Sequence, residues 1–266
     1  MRERPENFVL NNASPLARGL VFAGLGRSPG SVRYKDSSLH GNDGELTNMT
    51  PSDDWVWIPE LGRWSCAFAA GADQYVSIAN DPQFTMGTTG TVSCWAKVTG
   101  GDAYSAVVIK GNKTNSIASD STFYIASQIG KIRGGITDED INTSTSWSGD
   151  WQHVALHWDS TTVTLYVDGC VLDTNAQAGS PTEYDRPIWI GARDTVTFNE
   201  ETITGNVSDV LIHSRALTLP EIQILADRSD PMLGGLVKPP KRKYYGIPYI
   251  RPGYRYKLGR LLLQRT

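Results

Sequence analysis

The stretch GDWQHVALHWDSTTVTLYVDG, residues 149–169, holds two histidines, three aspartates and two tryptophans. It reads either as a catalytic or metal-binding cluster or as a hairpin with packed aromatic residues. Alternation along 151–158 sends Trp151, His153, Ala155 and His157 to one face, and Gln152, Val154, Leu156 and Trp158 to the other. DSTT (159–162) supplies a turn, after which Val163, Leu165 and Val167 alternate with Thr164 and Tyr166. The stretch is a hairpin with one strongly apolar face.

Spacing then decides the metal question. Histidines at i and i+4 converge on one ion when they sit on a helix. On a strand they stand about 13 Å apart at roughly 3.3 Å per residue, too far to share a ligand sphere. A base role for either histidine needs a nucleophile and an orienting carboxylate, and the sequence identifies no such grouping. The packed hairpin is the stronger reading.

The rest of the body repeats this pattern. QYVSIA (74–79), TGTVSCWAKV (89–98), AYSAVVIK (103–110), STFYIAS (121–127) and KIRGGI (131–136) are rich in β-branched or aromatic residues. RPIWIGA (186–192) and GNVSDVLIHS (205–214) continue the series between clusters of Gly, Asn, Asp, Ser and Thr. No long amphipathic helical pattern intervenes, which points to an all-β sandwich or barrel. One short helix is expected at TLPEIQILA (218–226), with Thr218 and Glu221 at capping-box spacing and Pro220 in the first turn. It is expected to seal one end of the sandwich.

Composition narrows the classes. The 266 residues form one large β domain or two smaller ones. The apolar runs are far short of the roughly 20 residues that cross a bilayer, so no membrane span is expected. The N-terminus, MRERPENFVLNNASP, lacks the apolar core of a secretory signal, and none is expected there. Cys66, Cys94 and Cys170 are widely spaced, with no CxxC, and read as buried free thiols.

The formal charge of −3 hides a strong asymmetry. After Asp230 there is no acidic residue and there are nine Lys or Arg, so residues 232–266 carry +9. The remaining 16 Lys and Arg against 28 Asp and Glu leave −12 on the body. Residues 231–266 read as an extended basic C-terminal arm, 1–15 as a shorter N-terminal arm, and 16–230 as the sandwich. In the C-terminal arm Lys241, Arg242, Lys243, Tyr244, Tyr245, Tyr249, Arg251, Tyr254, Arg255 and Tyr256 interleave cations with aromatic rings. Prolines and glycines recur among them, which excludes a sheet interior. Docking on other protein subunits, a capsid or the acidic body of a neighbouring copy, is preferred to nucleic-acid binding; a solvated linker is the plain alternative.

The order of motifs resembles the laminin G-like domains of the concanavalin A-like lectin/glucanase jelly-roll superfamily. The resemblance rests on DSSLHGNDGEL (36–46), CAFAAGADQYVSI (66–78), GTVSCWAKV (90–98), the opening hairpin and GNVSDVLIHSRALTLPEI (205–222), and covers roughly 18–226. Leu39 departs from it where Gly is usual, and Ser208 where the closing strand often has a first Asp. It implies a jelly-roll β-sandwich of two antiparallel sheets. It also implies a structural calcium ion tying the early loop to the last strand, with Asp209 at the matching position and Asp36 facing it. The alternative for Asp209 is a carboxylate that caps a loop without metal.

Fold leaves function open. Glycoside hydrolysis needs two carboxylates across the scissile bond, and TDEDI (137–141), the nearest approach, reads as a solvated loop. A non-enzyme is therefore expected. Sugar binding uses exposed aromatic faces, for which Trp55, Trp57, Trp64 and Trp147 are the candidates; DDWVWIPELGRW (53–64) reads as an aromatic loop, with core packing as the alternative. A recognition domain without a secretory signal needs a route outside the cell, and virion assembly supplies one. The expected function is a non-enzymatic phage virion component, a capsid decoration or fibre-like protein, displaying a lectin-like sandwich that binds a glycan. The alternatives are a bacterial surface or secreted carbohydrate-binding lectin and, further off, a glucanase-type hydrolase.

Overall fold

The opening hairpin forms as its alternation dictates. Gln152–Trp158 and Thr162–Val167 pair antiparallel, with Val154 opposite Val167 and Leu156 opposite Leu165. Val154, Leu156, Trp158, Val163 and Leu165 are fully buried on one face, each apolar side chain contributing roughly 1.5–3 kcal/mol. The structure, a computed structural model, describes residues 3–5, 7–26, 31–111, 119–176, 180–193 and 201–240. The expected docking residues of the C-terminal arm, Lys241 to Tyr256, lie outside them.

In chain order the early strands are β1 (Val9–Leu10), β2 (Leu20–Gly24), β3 (Arg33–Tyr34), β4 (Gly44–Thr47), β5 (Trp55–Ile58), β6 (Arg63–Phe68) and β7 (Tyr75–Ile78). The central ones are β8 (Gly90–Gly101), β9 (Tyr104–Gly111), β10 (Ser121–Gln128), β11 (Lys131–Ile136), β12 (Glu139–Ser146), β13 (Gln152–Trp158) and β14 (Thr162–Val167). The last are β15 (Cys170–Ala176), β16 (Ile188–Ile190), β17 (Ala192–Arg193), β18 (Glu201–His213) and β19 (Val237–Lys238), with helix α1 (Leu219–Leu225) before β19.

They build two facing sheets. One has nine strands, with the path β15-β14-β13-β8-β18-β6-β5 and with β2 and β17 also paired to β18; the other has the order β12-β11-β10-β9-β16-β7-β4-β3. All pairings are antiparallel. The inner faces meet in one core that includes Trp158, Phe123, Val92, Ile212 and Leu156. This is the expected jelly-roll sandwich.

The nine-stranded sheet is also covered on its outer face. Ala155, Tyr166 and Leu211 pack there with Ile222 and Leu225 of α1, and with Phe8, Leu233, Leu236 and Val237. The helix has the expected capping box, Thr218 with Glu221. It lies on this outer face instead of sealing an end, because its apolar positions meet the outward side chains of β13, β14 and β18. Trp95 Nε1 donates to Leu225 O at 3.1 Å and locks the helix end to the sheet.

The chain ends differ from their expected boundaries. Residues 3–5 and 7–10 are docked on the body, and β1 pairs β19 with Val9 opposite Lys238. Residues 231–238 likewise belong to the body, since Leu233, Leu236 and Val237 are buried. Their apolar side chains outweigh the local Gly and Pro content that suggests an arm. Three smaller expectations also change. Residues 53–64 form most of the β5–β6 hairpin, and 137–141 form a hairpin turn running into β12. Cys66 and Cys94 are buried free thiols as expected, but Cys170 is exposed on the edge strand β15.

Candidate functional site

The β5–β6 hairpin carries three of the four candidate tryptophans. Trp55 and Trp57 stand two residues apart and share a face. Trp55 lies over the core: it is 4% exposed, stacks on Tyr34 at 5.7 Å and donates from Nε1 to Ser31 O. Its expected sugar-binding role is therefore corrected, because the ring is buried in the core against Tyr34 and its N–H is bonded to backbone. Trp57 lies two residues further on, directly opposite Trp64. Their rings meet edge to face, with centroids 5.5 Å apart at 64°, and both remain half-buried.

These two indoles form one side of an open cleft of about 370 Å³ whose remaining lining is Glu3, Arg4 and Pro5. The N-terminal segment is thus the second wall. Arg4 holds it in place. Its backbone N–H donates to Gly62 O in the β5–β6 turn at 2.8 Å, and Nε donates to Pro231 O at 2.8 Å. Its terminal nitrogens donate to Asp209, Nη1 to Oδ1 at 2.5 Å and Nη2 to Oδ2 at 2.6 Å.

Asp209 also receives Arg63, whose Nη1 lies 2.6 Å from Oδ2. All three side chains are buried. Arg63 further donates from Nε to Leu61 O and lies over the Trp95 ring at 5.5 Å. Register explains how the carboxylate reaches this face. Ser208 pairs Trp95 and Leu211 pairs Ser93, so β18 carries a bulge at 209–210. Asp209 adopts φ 50° there, a conformation that Asp tolerates better than most residues. Burial pushes the Asp209 carboxyl upward in pKa, but Arg4 and Arg63 outweigh it and hold the group below the usual carboxylate range. Burial lowers the Arg63 pKa, opposed chiefly by Asp209.

The expected calcium pair is corrected by the same geometry. Both Asp209 oxygens face guanidinium groups, so a cation there would meet positive charge. Asp36 is saturated as well: Oδ1 accepts from the N–H of Ala23 and Ser38, and Oδ2 from Asn42 N–H and the Ser38 hydroxyl. Donors pointing at a carboxylate leave no lone pair for a metal. These residues do not fit the ion. Among the described residues no group of three or more His, Cys, Asp or Glu is placed to hold a metal.

Trp147 does not join the other tryptophans. It is 8% exposed and lines a separate recess of about 460 Å³ with Gly100, Gly101, Asp102 and Ile129. The two histidines of the opening hairpin are structural. His153 is buried against the edge of Trp95, and burial, followed by the Arg63 charge, pushes its pKa down to about 3. His157 lies beside Asp159, with Nε2 3.9 Å from the carboxylate. In the turn at 137–141, Asp140 accepts two hydrogen bonds from Arg133 and one from the Tyr124 hydroxyl. A carboxylate so held is an ion-pair partner.

Sequence reasoning missed Glu3, Arg4, Pro5 and Arg63. Arg63 left a signal, a cation facing Ile58 in a mostly apolar strand pair. The N-terminal residues left none, since their partners lie across the chain.

A double-sheet sandwich with an aromatic surface cleft defines the class. The chain belongs to the concanavalin A-like lectin/glucanase superfamily: the Laminin_G_3 family matches residues 70–223, more than half of its length. No curated protein matches it. Among solved structures it is similar to the binding domain of Paraclostridial Mosquitocidal Protein 1, at 16% identity and a TM-score of 0.59, with 80% of this chain and 52% of that one covered. It is similar to the binding domain of botulinum neurotoxin DC in complex with SialylT, at 15% identity and a TM-score of 0.55, covering 79% and 51%. The same toxin domain in complex with rat synaptotagmin II gives 15%, 0.57, 80% and 52%. The chain thus spans about half the length of these structures, and at such identities the likeness is one of fold.

Proposed function

We propose that this chain is a non-enzymatic recognition domain whose Trp57–Trp64 cleft binds a glycan. The observation that carries the reading is the half-exposed indole pair, set edge to face in a cleft that polar Glu3 also lines. Sugars present C–H faces to aromatic rings and hydroxyls to neighbouring polar groups, and an apolar surface with a few polar groups suits them. The similar toxin domain seen with SialylT supports a glycan as the ligand class. The commitment of Asp140 to Arg133 and Tyr124 supports binding without turnover. The test is a glycan array on the full chain: retained glycans must be lost when Trp57 and Trp64 are changed to alanine, and their persistence would end the reading.

The finer part of the proposal is placement on a phage virion, as a capsid decoration or fibre-like component anchored by its basic arm. It is supported by the opposed charges of residues 1–231 and 232–266, −12 and +9. Residues 231–238 pack on the body, so the expected arm is tested through residues 241–266. Deleting 241–266 abolishes incorporation into particles and leaves glycan binding intact; normal incorporation moves the reading to a bacterial surface or secreted lectin.

A further inference from the structure

Asp209 occupies the position where the family resemblance implies a metal ligand, yet two guanidiniums take both of its oxygens. One of them comes from the segment that walls the cleft. We propose that Asp209 is a positioning residue of the cleft: through Arg4 it clamps residues 3–5 as the wall facing Trp57 and Trp64, so the saccharide site is complete only when the N-terminal segment is docked. This inference rests on the glycan-binding reading for the ligand, but the clamp stands on geometry alone.

Arg4 donates four hydrogen bonds, two to the Asp209 carboxylate and one each to Pro231 O and Gly62 O. Glu3 and Pro5 flank it in sequence and line the cleft with it. A bidentate fork fixes direction as well as distance, so the flanking residues are held at a set height above the indoles. Arg63 supplies the second cation on the same carboxylate, and this keeps Asp209 ionised at neutral pH. The guanidinium thus ties residues 3–5 to β18, a task like the one the resemblance gives to a metal.

The test uses the full chain with Arg4→Lys and, separately, Asp209→Asn. Lysine keeps the charge but lacks the planar fork. Hydrogen exchange by mass spectrometry reads the segment 3–10 directly. The expected result is exchange raised at least tenfold in 3–10, while the β8–β18 ladder stays protected. Binding to glycans on an array, at a temperature where both proteins are folded, falls at least tenfold. Unchanged exchange in Arg4→Lys overturns the clamp even if glycan binding is never found, and full binding with a released segment removes the wall from the site. If Asp209→Asn fails to fold, Arg4→Lys alone decides. Failure of the glycan reading itself shows separately, as indifference to Trp57→Ala.

Discussion

Arg4 and Asp209, 205 residues apart in sequence, meet through a bidentate ion pair with N–O distances of 2.5 and 2.6 Å. The pair is buried and shared with Arg63. Removing one partner of such a network leaves uncompensated charge in a dry site. Asp209→Ala is expected to destabilise the fold by about 3–5 kcal/mol, read from the urea midpoint at neutral pH. A loss below about 1 kcal/mol would mean that the trio is solvated.

Calcium supplies a complementary check. With both Asp209 oxygens on guanidiniums and Asp36 saturated by donors, millimolar calcium leaves the thermal midpoint where a chelator leaves it. A calcium-dependent rise that Asp209→Asn abolishes would contradict this.

Acid should weaken the protein well before its carboxylates titrate. Burial pushes the pKa of His153 down to about 3 and that of His213 to about 4. In the unfolded chain a histidine takes up its proton near pH 6.5. The stability these neutral rings support is complete above that value. It is lost as pH falls, down to about 4 for His213 and about 3 for His153. At pH 5 each costs about 2 kcal/mol. Urea midpoints at pH 7 and pH 5 measure it; equal midpoints would require solvated rings.

The inner core leaves no room at Gly90. A Cβ there would sit 2.1 Å from Cζ2 of Trp158, whose indole N–H is bonded to Gly87 O. Gly90→Ala is expected to cost on the order of 1–3 kcal/mol by overpacking, with a changed near-ultraviolet signal from the displaced indole. A neutral effect would mean that Trp158 is free to move.

Much of this was legible in the sequence, and the reason is periodicity. The hairpin at 149–169 alternates strictly with one apolar face, so strand, register and buried face follow together. Capping chemistry likewise placed α1 at Thr218 and Glu221. The tryptophans were harder. Trp55 and Trp57 share a face by alternation, and only the position of each along β5 separates core from cleft. The fate of Asp209 depends on a bulge against β8 and on an arginine near the chain start, neither of which leaves a local pattern. The outer layer over β13, β14 and β18 was missed because its apolar residues, Phe8, Leu233 and Leu236, are scattered among polar and turn residues.

Trp57 and Trp64 are proposed to form a glycan-binding surface. This is tested by titrating the full chain with the strongest glycan from an array, by calorimetry, alongside Trp57→Ala, Trp64→Ala and Trp147→Ala. Binding at least tenfold weaker is expected for the first two, with unchanged affinity for Trp147→Ala. Binding that survives loss of both cleft indoles, or that fails only when Trp147 is removed, would contradict it.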